Sequence, residues 1–295
     1  MQISDETNAR TGLKYLITGA TGNIGSLVVK RLIERGDRLG VFVREAARAQ
    51  DLYGSQVEIA VGDLADPASL ELALRNIDTL FLVNAGPDLA LRDEISAQTA
   101  HAAGVQRVVK LSTKDVEQNV GTGIWHAKGE SAIRATGVRF VFVRPSGFMT
   151  NALAWATSIK EEGIVRSATG EGKIAFIHPA DIAEVAVTAL VNPEYDGQSL
   201  SITGPEPLSY SEMTAKIGQV IGRRLRFEPI AEKESRKQLS AAGEQPASVD
   251  YHLSIFRAIR EGRLASVTDT IQSILGRPAI SFDCWVRENA GAFCI

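Results

Sequence analysis

Three glycines at fixed spacing form the clearest chemical motif of this sequence, Gly19-Ala-Thr-Gly22-Asn-Ile-Gly25. An apolar run precedes them at 14–18, and an amphipathic stretch follows them at 24–35. A binding site for the pyrophosphate of a dinucleotide consists of a strand, a turn of this kind and then a helix. The helix N-terminus offers the pyrophosphate free N–H groups and a positive dipole end. We therefore expect a pyrophosphate to lie against six residues of the turn: Gly19, Thr21, Gly22, Asn23, Ile24 and Gly25. A glycine-rich turn that binds nothing is the alternative.

Two arginines after the second apolar run indicate which dinucleotide is bound. An acidic residue at this position would hold the ribose 2′-OH and favour NAD. Arg44 stands there instead, and Arg48 follows one helical turn later. Each guanidinium can donate paired hydrogen bonds to a 2′-phosphate, so the pair predicts NADP(H) rather than NAD(H). The alternative is that both arginines only solvate a helix start, with Glu45 cancelling part of their charge.

The elements that would position these residues alternate along the first half of the chain. Short apolar strands are predicted at 14–18, 38–43, 57–61, 79–83, 107–111 and 139–143, with helices at 24–35, at 45–52 and from about residues 67, 89 and 125. Several of these runs scarcely alternate in polarity, as is typical of strands covered on both faces. Strand–helix alternation predicts right-handed crossovers and a doubly wound parallel α/β sheet.

The pattern changes after Pro145, where helices become more frequent and strands sparser. A helix capped near Asp181 is predicted, as are strands in SLSIT and RFEPI. Another helix should begin at Ser209, with Glu212 as its capping-box partner, and end at Gly222. We expect residues 13–150 to form the dinucleotide-binding domain, and residues 151–295 to form a smaller, mostly helical substrate lobe interleaved with it.

Composition excludes several classes of function. The 295 residues are 44% hydrophobic, enough for a large core, and a net charge of −3 argues against a nucleic-acid partner. The two cysteines, Cys284 and Cys294, provide neither a disulfide framework nor a metal signature, which favours a reducing cytoplasm and no metal. No apolar run approaches ~18 residues, so no membrane span is expected. Residues 1–12 are polar and are expected to form a loose extension without a secretory signal.

Several further stretches resemble the short-chain dehydrogenase/reductase superfamily, especially its extended and atypical branches with their Gly-x-x-Gly-x-x-Gly turn. They are VGDL at 61–64, LVNAGP at 82–87, VVKLST at 108–113 and VRPSGFMTN at 143–151. HPADIAEVA at 178–186 and the ending GRPAISFDCWVRENAGAF resemble the NmrA-like group more narrowly. That group includes quinone, azo-dye and triphenylmethane reductases, and also NADP-sensing regulators.

The resemblance implies a Rossmann-type fold and a set of further cofactor contacts. In that family the turn after the third strand flanks the adenine, the ends of the fourth and fifth strands line the cofactor, and the segment after the sixth strand passes the nicotinamide. The matching residues here are Asp63 and Leu64, then Asn84, Ala85, Gly86 and Ser112, and finally Pro145, Gly147 and Phe148.

The superfamily's usual proton donor is absent from this chain. The family places a Tyr four residues before a Lys on the helix after strand five, but no Tyr lies between Tyr53 and Tyr195. Alignment on Glu130, which often follows that Lys by four, puts His126 at the Lys position and Thr122 at the Tyr position. His126 has a suitable ordinary pKa and is our candidate proton donor. It could equally orient the ribose or pack the helix.

Two hydroxyls and a set of aromatic residues complete the candidate site. Ser112 and Thr113 end the fifth strand and could bond the substrate carbonyl or the cofactor carboxamide, although capping of the next segment is an equal alternative. An apolar substrate pocket is expected from Trp125, Phe148, Met149, Trp155 and Phe176.

The missing acid limits the chemistry that we expect. Hydride delivery to a plain ketone creates an alkoxide, which needs a nearby acid. Conjugated acceptors such as quinones, enones, iminium ions and cationic dyes need less help. The sequence therefore predicts an NADPH-dependent reductase of aromatic or conjugated small molecules, active as a monomer or homodimer. A non-catalytic NADP(H)-sensing regulator is the alternative.

Overall fold

The computed structural model describes residues 14–294, so the predicted extension at 1–12 lies outside the described residues. In chain order the strands are β1 (Tyr15–Thr18), β2 (Leu39–Val43), β3 (Glu58–Val61), β4 (Thr79–Leu82), β5 (Arg107–Leu111), β6 (Arg139–Pro145), β7 (Ile164–Ser167), β8 (Lys173–Ile174), β9 (Ser199–Ile202), β10 (Leu208–Ser209) and β11 (Arg226–Pro229). The α-helices are α1 (Asn23–Glu34), α2 (Ala46–Tyr53), α3 (Pro67–Ala73), α4 (Leu89–Ala102), α5 (Gly123–Ala135), α6 (Ala156–Glu162), α7 (Pro179–Val191), α8 (Tyr210–Ile221), α9 (Glu232–Ala241), α10 (Pro246–Arg260), α11 (Thr270–Leu275) and α12 (Phe282–Glu288).

Seven parallel strands form the central sheet in the order β3-β2-β1-β4-β5-β6-β9. The predicted doubly wound sheet is confirmed. Strands β1, β2, β4 and β5 are buried along their whole length, which is why their sequences are mostly apolar and do not alternate in polarity. Strand order reverses between β1 and β4, and the carboxyl ends of these two strands therefore flank a crevice.

Helices cover both faces of the sheet. Apolar residues of α1, α2, α7 and α11 pack against one face, and apolar residues of α3, α4 and α5 pack against the other. A separate apolar cluster joins α6, α8, α10 and α12 to β7 and β8, and this cluster is the core of a second lobe. Helix α7 and strand β9 return from the second lobe to the first, so the two parts of the chain are interleaved.

The predicted ends of α8 are confirmed, whereas the predicted cap of α7 is wrong. Ser209 and Glu212 form the reciprocal capping box of α8, and Gly222 ends the helix at φ +66°. Helix α7 begins at Pro179, a residue suited to the first helical position, so its cap is His178, whose Nδ1 accepts from Ala180 N at 3.0 Å. Asp181 lies inside the helix, where it accepts from Ile280 N at 2.8 Å. None of the helices within residues 14–294 is long and apolar enough to cross a membrane.

A buried ion pair joins helix α4 to strand β5 of the central sheet. Lys110 Nζ lies 2.6 Å from Asp93 Oδ2, and both side chains are 0% exposed. Asn84 Nδ2 donates to the other carboxylate oxygen at 3.3 Å. Each charge is tolerated in the core only because the other compensates it.

We predict that Asp93→Ala lowers the free energy of unfolding by about 3–5 kcal/mol, because it leaves the Lys110 charge buried without a partner. Urea denaturation followed by circular dichroism would measure the loss. A double variant, Asp93→Leu with Lys110→Met, should lose less because no charge remains buried. Asp88→Ala, which breaks an exposed pair on the same helix end, is the control and should cost less than about 1 kcal/mol. Equal losses in Asp93→Ala and Asp88→Ala would contradict the prediction.

Candidate functional site

The glycine motif forms a tight turn between β1 and α1. Gly22 N donates to Gly19 O at 3.0 Å, and Gly19 adopts φ +61°. A Cβ at Gly25 would lie 2.2 Å from Gly19 O, closer than atoms can approach. Any side chain at Gly25 would therefore push α1 away from the end of β1.

The N-terminus of α1 has no side-chain cap. Gly22 is the N-cap residue, no side chain bonds to the first N–H groups, and the first turn carries no acidic residue. These N–H groups lack partners within the helix, and the dipole gives this end a partial positive charge. The turn itself is supported from α2, where Tyr53 donates its hydroxyl to Ala20 O at 2.5 Å. The result is a rigid site for an anion.

A cavity of about 510 Å³, called here the turn cavity, opens along this turn. The predicted cofactor residues that line it are Gly19, Thr21, Gly22, Arg44, Arg48, Asp63, Leu64, Asn84 and Ala85. Arg44 and Arg48 are exposed, and neither guanidinium forms an ion pair with a carboxylate within residues 14–294. Their charges are available to a ligand.

Arg92 on α4 also lines the turn cavity, although no sequence pattern predicts this contact. Its Nη1 donates to Ala85 O at 3.3 Å, and its Nε is buried without a hydrogen-bond partner among the described residues. The orientation of α4 on the sheet decides which face of the helix lines the cavity. No local sequence pattern around Arg92 predicts that orientation.

A second cavity of about 700 Å³, called here the lobe cavity, lies between the sheet and the second lobe. It brings together the predicted residues Asn23, Ile24, Gly25, Gly86, Ser112, Thr113, Trp125, His126, Gly147, Phe148, Trp155 and Phe176. Gly19, Gly22, Val83, Asn84 and Ala85 line both cavities, so the two are continuous at the carboxyl ends of β1 and β4. This is where ligands bind in open α/β sheets.

Two predicted site residues line neither cavity. Met149 is 1% exposed and packs in the core of the second lobe, while its neighbours Phe148 and Thr150 line the lobe cavity. Pro145 is buried at the end of β6, opposite Ile202 of β9. In both cases pairing fixes the backbone so that the side chain faces away from the cavity. The predicted contacts of Met149 and Pro145 are therefore corrected.

His126 lines the lobe cavity but does not suit the role of proton donor. Burial and, to a smaller extent, the charge of Lys110 lower its pKa to about 2. Its ring is therefore neutral near pH 7, which corrects the prediction that it supplies an acidic proton. Its Nδ1 is buried without a hydrogen-bond partner among the described residues, so the ring has capacity to bond a ligand. Cofactor holding, the alternative, stays a prediction.

Ser112 is tied to a buried carboxylate. Its Oγ donates to Glu130 Oε1 at 2.7 Å, and Arg144 Nε donates to the same oxygen at 2.9 Å. Because the only hydroxyl proton of Ser112 is used in this bond, its oxygen is left to accept a hydrogen bond from a ligand. An amide N–H of a ligand would suit it better than a carbonyl oxygen.

Thr113 takes the capping role that the sequence allowed. Its Oγ1 accepts from Asp115 N at 3.3 Å at the start of a 3-10 segment, Lys114–Gln118. Asp115 lines the lobe cavity and was not among the predicted site residues. Burial raises the pKa of its carboxyl to about 6, opposed by the Thr113 side chain and by the charge of Lys114. Part of its surroundings, such as Ile255 of α10, is distant in the chain, so no local sequence signal could have revealed this shift.

The residues present fit a dinucleotide. The turn is a cradle that a Cβ would fill, the helix end is uncapped, and Arg92 and His126 hold buried nitrogens without partners. Two guanidiniums line the turn cavity, and this cavity shares five lining residues with the lobe cavity. Among residues 14–294, no three His, Cys, Asp or Glu side chains come together as a metal site.

Comparison with known sequences agrees with this geometry. Residues 19–193 match a family model described as NAD(P)H-binding. A (4-alkanoyl-5-oxo-2,5-dihydrofuran-3-yl)methyl phosphate reductase from Streptomyces griseus is 38% identical over 94% of this chain and 98% of its own length. An NAD(P)H azoreductase from Xenophilus azovorans is 33% identical over 94% of this chain and 98% of its own.

Solved structures share the fold. An NADPH-dependent quinone oxidoreductase from Escherichia coli, in complex with NADPH, superposes with a TM-score of 0.85 at 23% identity, covering 93% of this chain and 99% of that one. A triphenylmethane reductase from Citrobacter, in complex with NADP(H), gives 0.84 at 22% identity, covering 94% of this chain and 100% of that one.

We predict that Gly25→Ala weakens the binding of NADPH at least about tenfold, which corresponds to about 1.4 kcal/mol, because the added methyl displaces the N–H groups of α1. Isothermal titration calorimetry would measure the dissociation constant, with circular dichroism to verify folding. Gly291→Ala is the matched control, since a Cβ there meets no atom within 4 Å. If both variants bind NADPH like the parent, the turn does not hold the coenzyme.

Proposed function

Because this chain belongs to the NAD(P)H-binding family, within the NmrA-like group of the short-chain dehydrogenase/reductase superfamily, we propose that it is an NADPH-dependent reductase of conjugated small molecules. One observation carries the proposal: the turn cavity and the lobe cavity are continuous at the ends of β1 and β4. A dinucleotide held at the turn would place its nicotinamide in the lobe cavity, beside a bound acceptor.

The relatives favour an enzyme over a regulator. Two that align with more than nine-tenths of this chain are named as reductases. The lobe cavity also has an apolar wall for a second ligand beside the coenzyme, since its lining includes Trp125, Phe148, Trp155 and Phe176. An aromatic or conjugated acceptor would cover these rings.

Each part of the crevice has a task in this proposal. The coenzyme, when bound, supplies a hydride. The open end of α1 would bind its pyrophosphate, and the Ser112 oxygen would accept a hydrogen bond from its carboxamide. His126 would form a hydrogen bond, through its unpartnered Nδ1, with the ribose or the nicotinamide next to that carboxamide. The aromatic walls would orient the acceptor and exclude water, and positioning of this kind supplies much of the catalysis in hydride transfer.

The acceptor class follows from the state of the groups in the described lining that were candidates to supply a proton. The Asp115 carboxyl, with its pKa of about 6, is ionised at pH 8. His126 is neutral, and the Ser112 proton is held by Glu130. A saturated ketone would form an alkoxide that these groups cannot neutralise. A quinone or enone spreads the charge over its conjugated system, and a cationic acceptor simply becomes neutral. We therefore place conjugated and electron-poor acceptors first.

The preference for NADPH rests on Arg44 and Arg48. Both line the turn cavity, both are exposed, and no carboxylate within the described residues forms an ion pair with them. A 2′-phosphate would give each a charge-assisted partner, whereas a 2′-hydroxyl would not.

We predict that Arg44→Ala raises the dissociation constant of NADPH about 10- to 100-fold and that of NADH less than about threefold, since a hydrogen bond to a charged group contributes about 1.5–3 kcal/mol. Calorimetry with each coenzyme would measure both constants. Arg38→Ala removes an exposed arginine that lies outside the cavity lining and serves as the control. An equal loss for both coenzymes would rule out the phosphate contact.

We predict NADPH oxidation with a quinone, a conjugated enone and an iminium salt at pH 8, and rates slower by about 10²–10⁴ with a saturated ketone of similar size, as expected when no acid assists. Absorbance of NADPH would follow the reaction. Equal rates with the saturated ketone would refute the argument from the missing acid. Tight binding of NADPH without turnover of any acceptor would favour the regulator.

A further inference from the structure

The charges that line the lobe cavity do not cancel. Within the described residues, the charged or titratable side chains of types Asp, Glu, Arg and His in this lining are Asp115, His126, Arg166, Glu244 and His252. His126 is neutral, as its lowered pKa shows. The remaining four decide the electrostatic character of the cavity.

Arg166 offers no free positive charge. Its Nη2 lies 2.7 Å from Glu162 Oε2, and its Nε lies 3.2 Å from Glu228 Oε2. Two carboxylates thus surround one guanidinium. An anionic substrate group that approached Arg166 would have to displace them.

Glu244 is also occupied. His252 Nδ1 lies 2.7 Å from Glu244 Oε2, so the carboxylate is bonded to an imidazole on α10. Asp115 differs from both, because it forms no ion pair with any residue of the described chain, and the nearby Lys114 Nζ is held by Glu117 Oε2 at 3.1 Å and by Ser266 Oγ at 2.9 Å. Among the described residues of the cavity lining, Asp115 is therefore the carboxylate with neither a cationic side chain nor an imidazole within ion-pair distance.

The surroundings of Asp115 increase the effect of that charge. A Cβ placed at Gly121 would lie 2.7 Å from Ile255 Cδ1 and 3.6 Å from Asp115 Oδ2, so the carboxylate sits close to the apolar contact between its own segment and α10. Aromatic rings of Trp125, Tyr251 and Phe256 line the same cavity. Aromatic faces attract cations, and a carboxylate in a poorly solvated site attracts them strongly.

We propose that Asp115 determines substrate charge, so that the lobe cavity selects conjugated acceptors that carry a positive charge and disfavours anionic ones. This assignment rests on the proposed reductase function and narrows its substrate class. It also separates this chain from the Streptomyces griseus relative, whose name specifies a phosphate-bearing substrate. A phosphate in this cavity would meet the Asp115 carboxylate and an arginine that is already paired.

The selection depends on pH in a defined direction. Burial raises the pKa of Asp115 to about 6, so its carboxylate is charged above that pH and neutral below it. The other charged or titratable groups of its segment and of the cavity lining are Lys114 and Glu117 on its own segment, His126 on α5, Arg166 on β7, Tyr210 on α8, Glu244 just before α10, and Tyr251 and His252 on α10. The cation preference should therefore rise as pH increases through about 6 and then level off.

The test uses three naphthoquinones that share one reacting ring. Their side chains are trimethylammoniomethyl, the uncharged neopentyl isostere and sulfonatomethyl. Steady-state kcat/KM with NADPH at pH 8 is measured for the parent and for Asp115→Asn. We expect the parent to favour the ammonium over the neopentyl compound, and Asp115→Asn to reduce that ratio at least about tenfold, equivalent to about 1.4 kcal/mol. The neopentyl compound should change less than about twofold, and the sulfonate compound should improve.

Asp250→Asn is the matched control, because it removes an exposed carboxylate of α10 that pairs with Arg236 and lies outside the cavity lining. Its substrate ratio should equal that of the parent. The pH dependence of the parent ratio needs no variant, so a misfolded Asp115→Asn would still leave a decisive measurement. The role of Asp115 is refuted if the parent protein does not favour the ammonium compound at pH 8, or if the Asp115→Asn variant still favours it. Either result leaves the proposed reductase function standing. A parent that reduces none of the three quinones overturns the reductase function, and this assignment with it.

Discussion

The close contact between α1 and the end of β1 is the constraint on which the crevice depends. A Cβ at Gly25 would lie 2.2 Å from Gly19 O, so the helix reaches this position only because the residue has no side chain. The Thr18 hydroxyl then fixes the neighbouring strand, accepting from Val83 N at 2.7 Å and donating to Val83 O at 2.9 Å. These contacts align the uncapped end of α1 with the ends of β1 and β4, and both cavities open there.

Buried charges decide which polar groups of the crevice remain available. Burial, and to a smaller extent the charge of Lys110, lowers the pKa of His126, so the imidazole stays neutral. Glu130 accepts the hydrogen bond that the Ser112 hydroxyl donates, so the Ser112 oxygen is left to accept a hydrogen bond from a ligand. The site thus has rigid positioning groups and few acidic ones. A reaction that needs orientation more than proton transfer suits such a site.

The sequence predicted most of the sheet, and most of the residues that it named for the coenzyme line one of the two cavities. Unbroken apolar runs, helix periodicity and glycine spacing are local signals, and local signals fixed the strands, the turn and the ends of α8. The cap of α7 was missed by three residues because Pro179 allows an earlier start. The sequence predicts Met149 in the substrate pocket together with its neighbour Phe148. Adjacent residues of a loop can be assigned to the pocket or to the core only once the pairing of β6 and of the residues that follow it is known.

What the sequence determined by itself is therefore what local patterns carry: a parallel α/β sheet, a glycine turn between β1 and α1, and two arginines after β2 that line the turn cavity. The tertiary structure alone decided which side chains keep a usable charge. Protonation and charge depend on burial and on partners distant in the chain, as the neutral His126 and the unpaired Asp115 show. Desolvation is a property of the packed lobe, and no spacing of residue types encodes it.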